Sequence, residues 1–263
     1  MKTFRLITII ILLTSMVEKV SGTAQVPDFM IYNGDTLMLF SNPLEGYFDS
    51  ISRPNALFNR CETSCWRGYI GYWELKNDSL FLLELHGYAS KKIDLSLVFK
   101  DRKVDGKIFA DWVDFPILNP YGKLVLYEHM GYSSIYEYER KFIFSKGILK
   151  DIEYYDNSKS QRCKFTDHSG ALEKYIQSNI DYANISNEYY GGVRIHVRVC
   201  SVTEDGKIDS VRVVRSYNDE LDKEAIRVVK SIPEWDVIYK NGKQIQISWI
   251  LSVMFNKREW NIP

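Results

Sequence analysis

The chain has 263 residues, with 34 Lys and Arg balanced by 34 Asp and Glu, 4 His, 4 Cys and 45% hydrophobic residues. This is the composition of an ordinary folded protein, and it excludes disorder, a fibrous repeat and a scaffold built on disulfides. The charge balance lacks the basic excess of a nucleic-acid binder, so no nucleic-acid partner is expected. The length allows two domains, each large enough to bury its own core.

In chain order, Met1–Ala24 comes first. Lys2 and Arg5 precede an almost wholly aliphatic run, Leu6–Leu13, and small residues return at Ser21, Gly22, Thr23 and Ala24. This is the order of an export signal, and cleavage before Gln25, or after Gly22, is expected. The alternative, a retained anchor, is opposed by length: the apolar run Leu6–Met16 is about half of the ~20 residues a bilayer requires. Membrane association is then expected only through partners or an uncleaved signal. Loss of Lys2, Arg5, Lys19 and Glu18 with the signal turns neutrality into a slight acidic excess.

Residues 25–156 alternate apolar and polar side chains between turn residues, the pattern of strands. Two hairpins stand out: Tyr69–Leu75 with Ser79–Leu85 about the turn Lys76-Asn77-Asp78, and Tyr136–Phe144 with Ile148–Tyr155 about Ser145-Lys146-Gly147. Further strands are expected at Ile93–Phe99, Lys107–Val113 and Lys123–Tyr127, and no sustained helical period occurs. The expected fold is all-β, a barrel or sandwich. The polar run Asn157–Gln161 opens a linker that extends to residue 167.

A helix follows, with Leu172, Tyr175, Ile176 and Ile180 on one face and Ser169 as a candidate N-cap. Val193, Ile195, Val197 and Val199 then alternate with Arg194, His196, Arg198 and Cys200 in a half-buried strand. After the turn Asp205-Gly206, Ile208–Val214 returns as a second strand. Asn218 or Asp219 caps a second helix with Leu221, Ala225, Val228 and Val229 on its apolar face, and Pro233 ends it. After the turn at Asn241-Gly242, Lys243–Phe255 reads as one long strand. Residues 168–256 are thus an α+β two-layer sandwich with a three-stranded antiparallel sheet and two helices, and 257–263 a tail.

The ordered set Asp205-Gly206 before Ile208, Leu221-Asp222-Lys223-Glu224-Ala225, Ile232-Pro233-Glu234-Trp235 and Asn241-Gly242-Lys243 resembles the TonB C-terminal domain family. The resemblance covers about a third of the chain. It implies a protein of the Gram-negative envelope, placed in the periplasm or on the periplasmic face of the outer membrane, that recognises an envelope protein or peptide by strand addition. Three features depart from the family, one of them the first hairpin loop, Ser201–Lys207, which is longer than usual. Tyr182-Ala183-Asn184-Ile185 stands where members carry a Tyr-Pro element, and a β-rich region replaces the Pro-rich spacer of an energy-transducing TonB, the whole chain having 7 Pro. The expected function is therefore protein or peptide binding rather than energy transduction. The alternatives are an accessory to TonB-dependent transport, or a β-domain enzyme or glycan binder acting on an envelope polymer.

Strand addition would use the edge of Lys243–Phe255, with Gln244, Gln246 and Ser248 lining the bound peptide. Cys61 and Cys65 are a possible disulfide, while Cys163 and Cys200 either pair or stand singly. No His lies in a metal-binding spacing and no cofactor motif occurs, so neither metal nor cofactor is expected. Glu128-His129 beside Ser133-Ser134 lacks a nucleophile elbow, and no catalytic residue is assigned. Trp66, Trp73, Trp112, Tyr121, Tyr127, Tyr132, Tyr136 and Tyr138 make the β region aromatic; Trp73 and Trp112 are expected in its core, and the loop-like segment Tyr121–Tyr138 at its contact surface.

Overall fold

In the computed structural model, the residues described are 23–58, 63–87, 90–102, 106–185 and 192–256. They form strands β1 (Asp28–Tyr32), β2 (Asp35–Leu39), β3 (Ile70–Lys76), β4 (Ser79–His86), β5 (Lys92–Ile93), β6 (Ile108–Phe109), β7 (Ile117–Leu126), β8 (Ile135–Ser145), β9 (Ile148–Asp156), β10 (Val193–Val202), β11 (Ile208–Arg215), β12 (Ile238–Lys240), β13 (Lys243–Ile245) and β14 (Trp249–Phe255). The α-helices are α1 (Glu45–Phe48), α2 (Ser96–Phe99), α3 (Lys164–Asp167), α4 (Ser169–Ser178) and α5 (Asp219–Lys230). Two units result. One takes the described residues up to Asn119 with Leu126–Ile135 and Lys141–Ile152; the other takes Pro120–Val125, Tyr136–Arg140 and the described residues from Glu153 onward.

The first unit is built on a sheet of order β2-β1-β3-β4-β9-β8-β7, with β5 and β6 also pairing with β4. The sheet curls until its outer strands meet, where Phe40 N–H donates to the Leu118 carbonyl at 2.8 Å. Both predicted hairpins form, and a third joins β1 to β2. Each turns on two residues at positive φ, Asn33-Gly34, Asn77-Asp78 and Lys146-Gly147. That twist matches the right-handed twist of the strands it joins. Alternation sends Met30, Leu37, Leu39, Trp73, Leu80 and Leu82 into one core, and Trp112 packs against it.

Three expected elements differ. Ile93–Phe99 is the end of β5 followed by α2, Lys107–Val113 pairs only at Ile108–Phe109, and Tyr121–Tyr138 holds parts of β7 and β8 rather than a loop. Helices α1 and α2 are single turns, too short to show a period of 3.6 residues. In β7, Pro120 and Gly122, which has φ of 80°, disguise a strand of 10 residues.

The first unit also buries an ion pair. Asp28 and Arg67 have fully buried side chains, with Arg67 Nη2 2.9 Å from Asp28 Oδ1. The carboxylate also accepts from Gly71 N–H at 2.9 Å and from Trp73 Nε1 at 3.1 Å. Arg67 donates in addition to the Val26 carbonyl and the Tyr132 hydroxyl. Burial pushes the Asp28 carboxyl above its usual range, against the opposing pull of Arg67.

In the second unit, the sheet β11-β10-β14 is antiparallel throughout and packs against α5. Asn218 caps that helix, its Oδ1 accepting from Leu221 N–H at 2.9 Å. Leu221, Ala225, Val228 and Val229 enter a core shared with Ile195, Val197, Val253 and Phe255. Helix α4 is preceded by His168, so Ser169 is its first residue rather than its cap.

Residues 157–167, read from their polarity as a linker, are packed into this unit. Asn157 is fully buried, and Cys163 and Phe165 lie in the hydrophobic core. Asn157 Nδ2 donates to Tyr136 O and Glu139 Oε2, and its Oδ1 accepts from Gly242 N–H of the β12–β13 turn. Asp236 accepts from Cys163 N–H at 2.8 Å and Thr166 Oγ1 at 2.7 Å, and pairs with Arg162. Polarity here serves side-chain to main-chain bonding, which composition does not distinguish from solvation.

Candidate functional site

The candidate site is the β14 edge of the C-terminal sheet, which pairs with no further strand among the described residues. Lys243–Phe255 was expected as one strand, but it is two: β13 pairs with β12, residues 246–248 leave the ladder, and β14 begins at Trp249. Gln244 and Gln246 are the reason. Both Nε2 atoms donate to the Val202 carbonyl, at 2.9 and 3.2 Å, and Gln246 Oε1 accepts from Val202 N–H at 2.9 Å. These amides satisfy the end of β10 beyond its last pairing with β14, Val199 opposite Trp249. They are committed within the chain, and Ser248 is exposed between the two strands.

The edge itself is read from β14. Met254 O accepts from Gln177 Nε2 of α4 at 3.0 Å, and Asn256 N–H donates to the Tyr182 hydroxyl at 3.3 Å. Even-numbered residues therefore turn their main-chain groups outward, and odd-numbered ones face β10. It follows that Ile250 and Ser252 project N–H and C=O from the sheet edge. A groove of about 350 Å³ runs beside them, lined by Leu172, Ile176 and Gln177 of α4, by Arg194, and by Ile250 and Ser252.

The family motifs hold this edge in place. Gly206 (φ 79°) receives Trp235 N–H on its carbonyl at 2.7 Å, and an added Cβ would lie 3.1 Å from Trp235 O. Trp235 is buried, its ring edge-on to Trp249 at 6.2 Å, where β14 begins. Asn241-Gly242 forms the two-residue turn, both at positive φ. The profile of the Gram-negative bacterial TonB protein C-terminal matches residues 185–256. The C-terminal segment is TonB-like. The TonB-type domain is thus a part of the chain, well under half of it. No curated protein and no solved structure matches the chain.

The other candidates scatter. Cys61 lies outside the described residues; Cys65 is buried, with Sγ 3.3 Å from Tyr69 O. Cys163 and Cys200 do not pair with each other: Cys163 is buried beside Thr166, and Cys200 is exposed on β10. Burial pushes the Cys163 thiol up, so less thiolate forms at a given pH. Alkylation with iodoacetamide at mildly basic pH should modify Cys200 at once and Cys163 only on unfolding, as peptide mass mapping would read. Ser134 Oγ bonds the Glu128 main chain and His129 stacks edge-on against Tyr127, which does not join them as a nucleophile and base. Tyr121 stacks on Tyr138 at 5.3 Å under Arg140, while Trp66 and Tyr127 are exposed. Among the described residues no helix is long and apolar enough to cross a membrane.

Proposed function

We propose that this is an exported envelope protein whose TonB-type domain captures an extended segment of an envelope protein on the β14 edge, without transducing energy itself. The supporting observation is the pair of outward main-chain units at Ile250 and Ser252, beside a groove of mixed lining in which Leu172 and Ile176 stand with Glu173, Gln177 and Arg194. A segment added there completes the hydrogen bonds that the edge leaves to solvent, and its alternate side chains enter the groove. The TonB resemblance favours plug segments of TonB-dependent receptors as the capture target, which would make the protein an accessory to uptake.

Hydrogen exchange on the full chain tests this. In the free protein the amides of Ile250 and Ser252 should exchange rapidly, and those of Leu251 and Val253 slowly. Saturation with peptides from receptor plugs should slow Ile250 and Ser252 by about tenfold or more, since each would then be paired in a ladder. Unchanged exchange across 249–255 at saturating peptide would sink the reading.

A further inference from the structure

The outer face of the C-terminal sheet is cationic. Arg194, His196 and Arg198 of β10 alternate with the buried Ile195, Val197 and Val199, so they stand on the side away from the core. On β11, Arg212 lies directly opposite Arg198, and Arg215 opposite His196. On β14, Met254, Ser252 and Ile250 lie opposite Arg194, His196 and Arg198. Among the described residues none of these four arginines has a carboxylate within ion-pairing distance. Asp209, the acidic residue of β11, bonds Ser201 at the far end of the strands. Glu173 of α4 lines the groove that Arg194 also lines.

Like charges directly opposite in a ladder repel, and Arg198 with Arg212 is such a pair. Arg198 Nε is moreover buried without a hydrogen-bond partner. A counter-charge from outside the domain would relieve the repulsion. We infer that this face selects acidic side chains on the segment that adds to β14, so that the ligand is an extended chain with Asp or Glu at alternate positions. The inference rests on the strand-addition reading. A strand beyond β14 lies about 4.8 Å from it and about twice that from β10, so every second side chain stands on the arginine face within reach of Arg194 and Arg198 across β14. Arg194 reaches past Met254 to line the same groove, and Ile250, 51% exposed, supplies apolar contact beside Arg198. An anionic lipid surface would meet the charge, but its headgroups cannot satisfy the alternating donors and acceptors of Ile250 and Ser252. A polypeptide does both.

The test uses the full chain and two fluorescent peptides of equal length, one alternating Glu and Val, the other Gln and Val. Fluorescence anisotropy should show the Glu peptide binding about tenfold more tightly at low salt. The preference should collapse in the R194Q/R198Q double variant, which removes the two arginines of β10 nearest the added strand, and at about 0.3 M NaCl, where screening is short-ranged, and persist in R194K/R198K. Hydrogen exchange at Ile250 and Ser252 is read in the same samples. Equal affinities with both amides protected would overturn the acidic selection and leave strand addition standing. A Glu preference without protection would overturn strand addition and this inference with it. Tighter binding to phosphatidylglycerol vesicles, displacing the Glu peptide, would assign the face to a membrane surface and overturn the inference alone.

Discussion

Asp28→Ala should destabilise the first unit by about 3–5 kcal/mol, the range for removing one partner of a buried ion pair. The loss has three parts: Arg67 keeps a buried charge with no counter-ion, and Gly71 N–H and Trp73 Nε1 lose their acceptor. Asp28→Asn should cost less than Asp28→Ala, because one amide oxygen still accepts, although its NH2 then faces a donor, either Trp73 Nε1 or the N–H groups of Arg67 and Gly71. Because burial raises the Asp28 pKa, its linked stability is fully present below pH ~4 and is lost as pH rises through the raised value. The parent should therefore gain on Asp28→Asn as pH falls. Urea denaturation read by amide exchange in β1, β3 and β4 measures both effects. Equal stability of Asp28→Ala and the parent would show that Arg67 finds another counter-ion.

Asp236→Ala carries the second large expectation, a loss of about 2–4 kcal/mol in the C-terminal unit. Its side chain is buried and serves Arg162, Cys163 N–H and Thr166 at once. Without it, the turn leading into α3 has a buried amide with no acceptor, and Arg162 keeps only Asp167. The segment 162–166 should then lift from the core, exposing Cys163 to alkylation under native conditions. A solvated linker predicts the opposite: unchanged unfolding and unchanged Cys163 reactivity. The outcome decides where the folded C-terminal unit begins.

This dependence bears on capture at the edge. Gln177 holds Met254 O, so the edge presented to a ligand depends on α4, which follows directly on the segment anchored by Asp236. Loosening that segment should weaken peptide capture without touching Ile250 or Ser252.

Much of this protein was legible in its sequence because local chemistry decided it. Asn77-Asp78, Lys146-Gly147 and Asn241-Gly242 are pairs able to hold positive φ, and each lies in a turn that the sequence marks. The alternation of β10, the helical face of α5 and the ordered TonB-like motifs depend on neighbours within a few residues, so they survive in one dimension. The parallel pairing of β1 with β3, the buried Asp28–Arg67 pair and the packing of 157–167 join residues far apart in the chain, where no local pattern marks the partner. The site shows the same division. Gln244, Gln246 and Ser248 sit on the polar side of an unbroken alternation, which is all a sequence shows of an edge. Only the tertiary structure reveals that Val202 claims both Gln amides, breaking the strand and moving the free edge to Ile250 and Ser252. The sequence alone determined the two-part chain, neutral in overall charge, and its TonB-like end. Its balance of acids and bases hid a cationic sheet face, because a sum over residues carries no information about where folding places them.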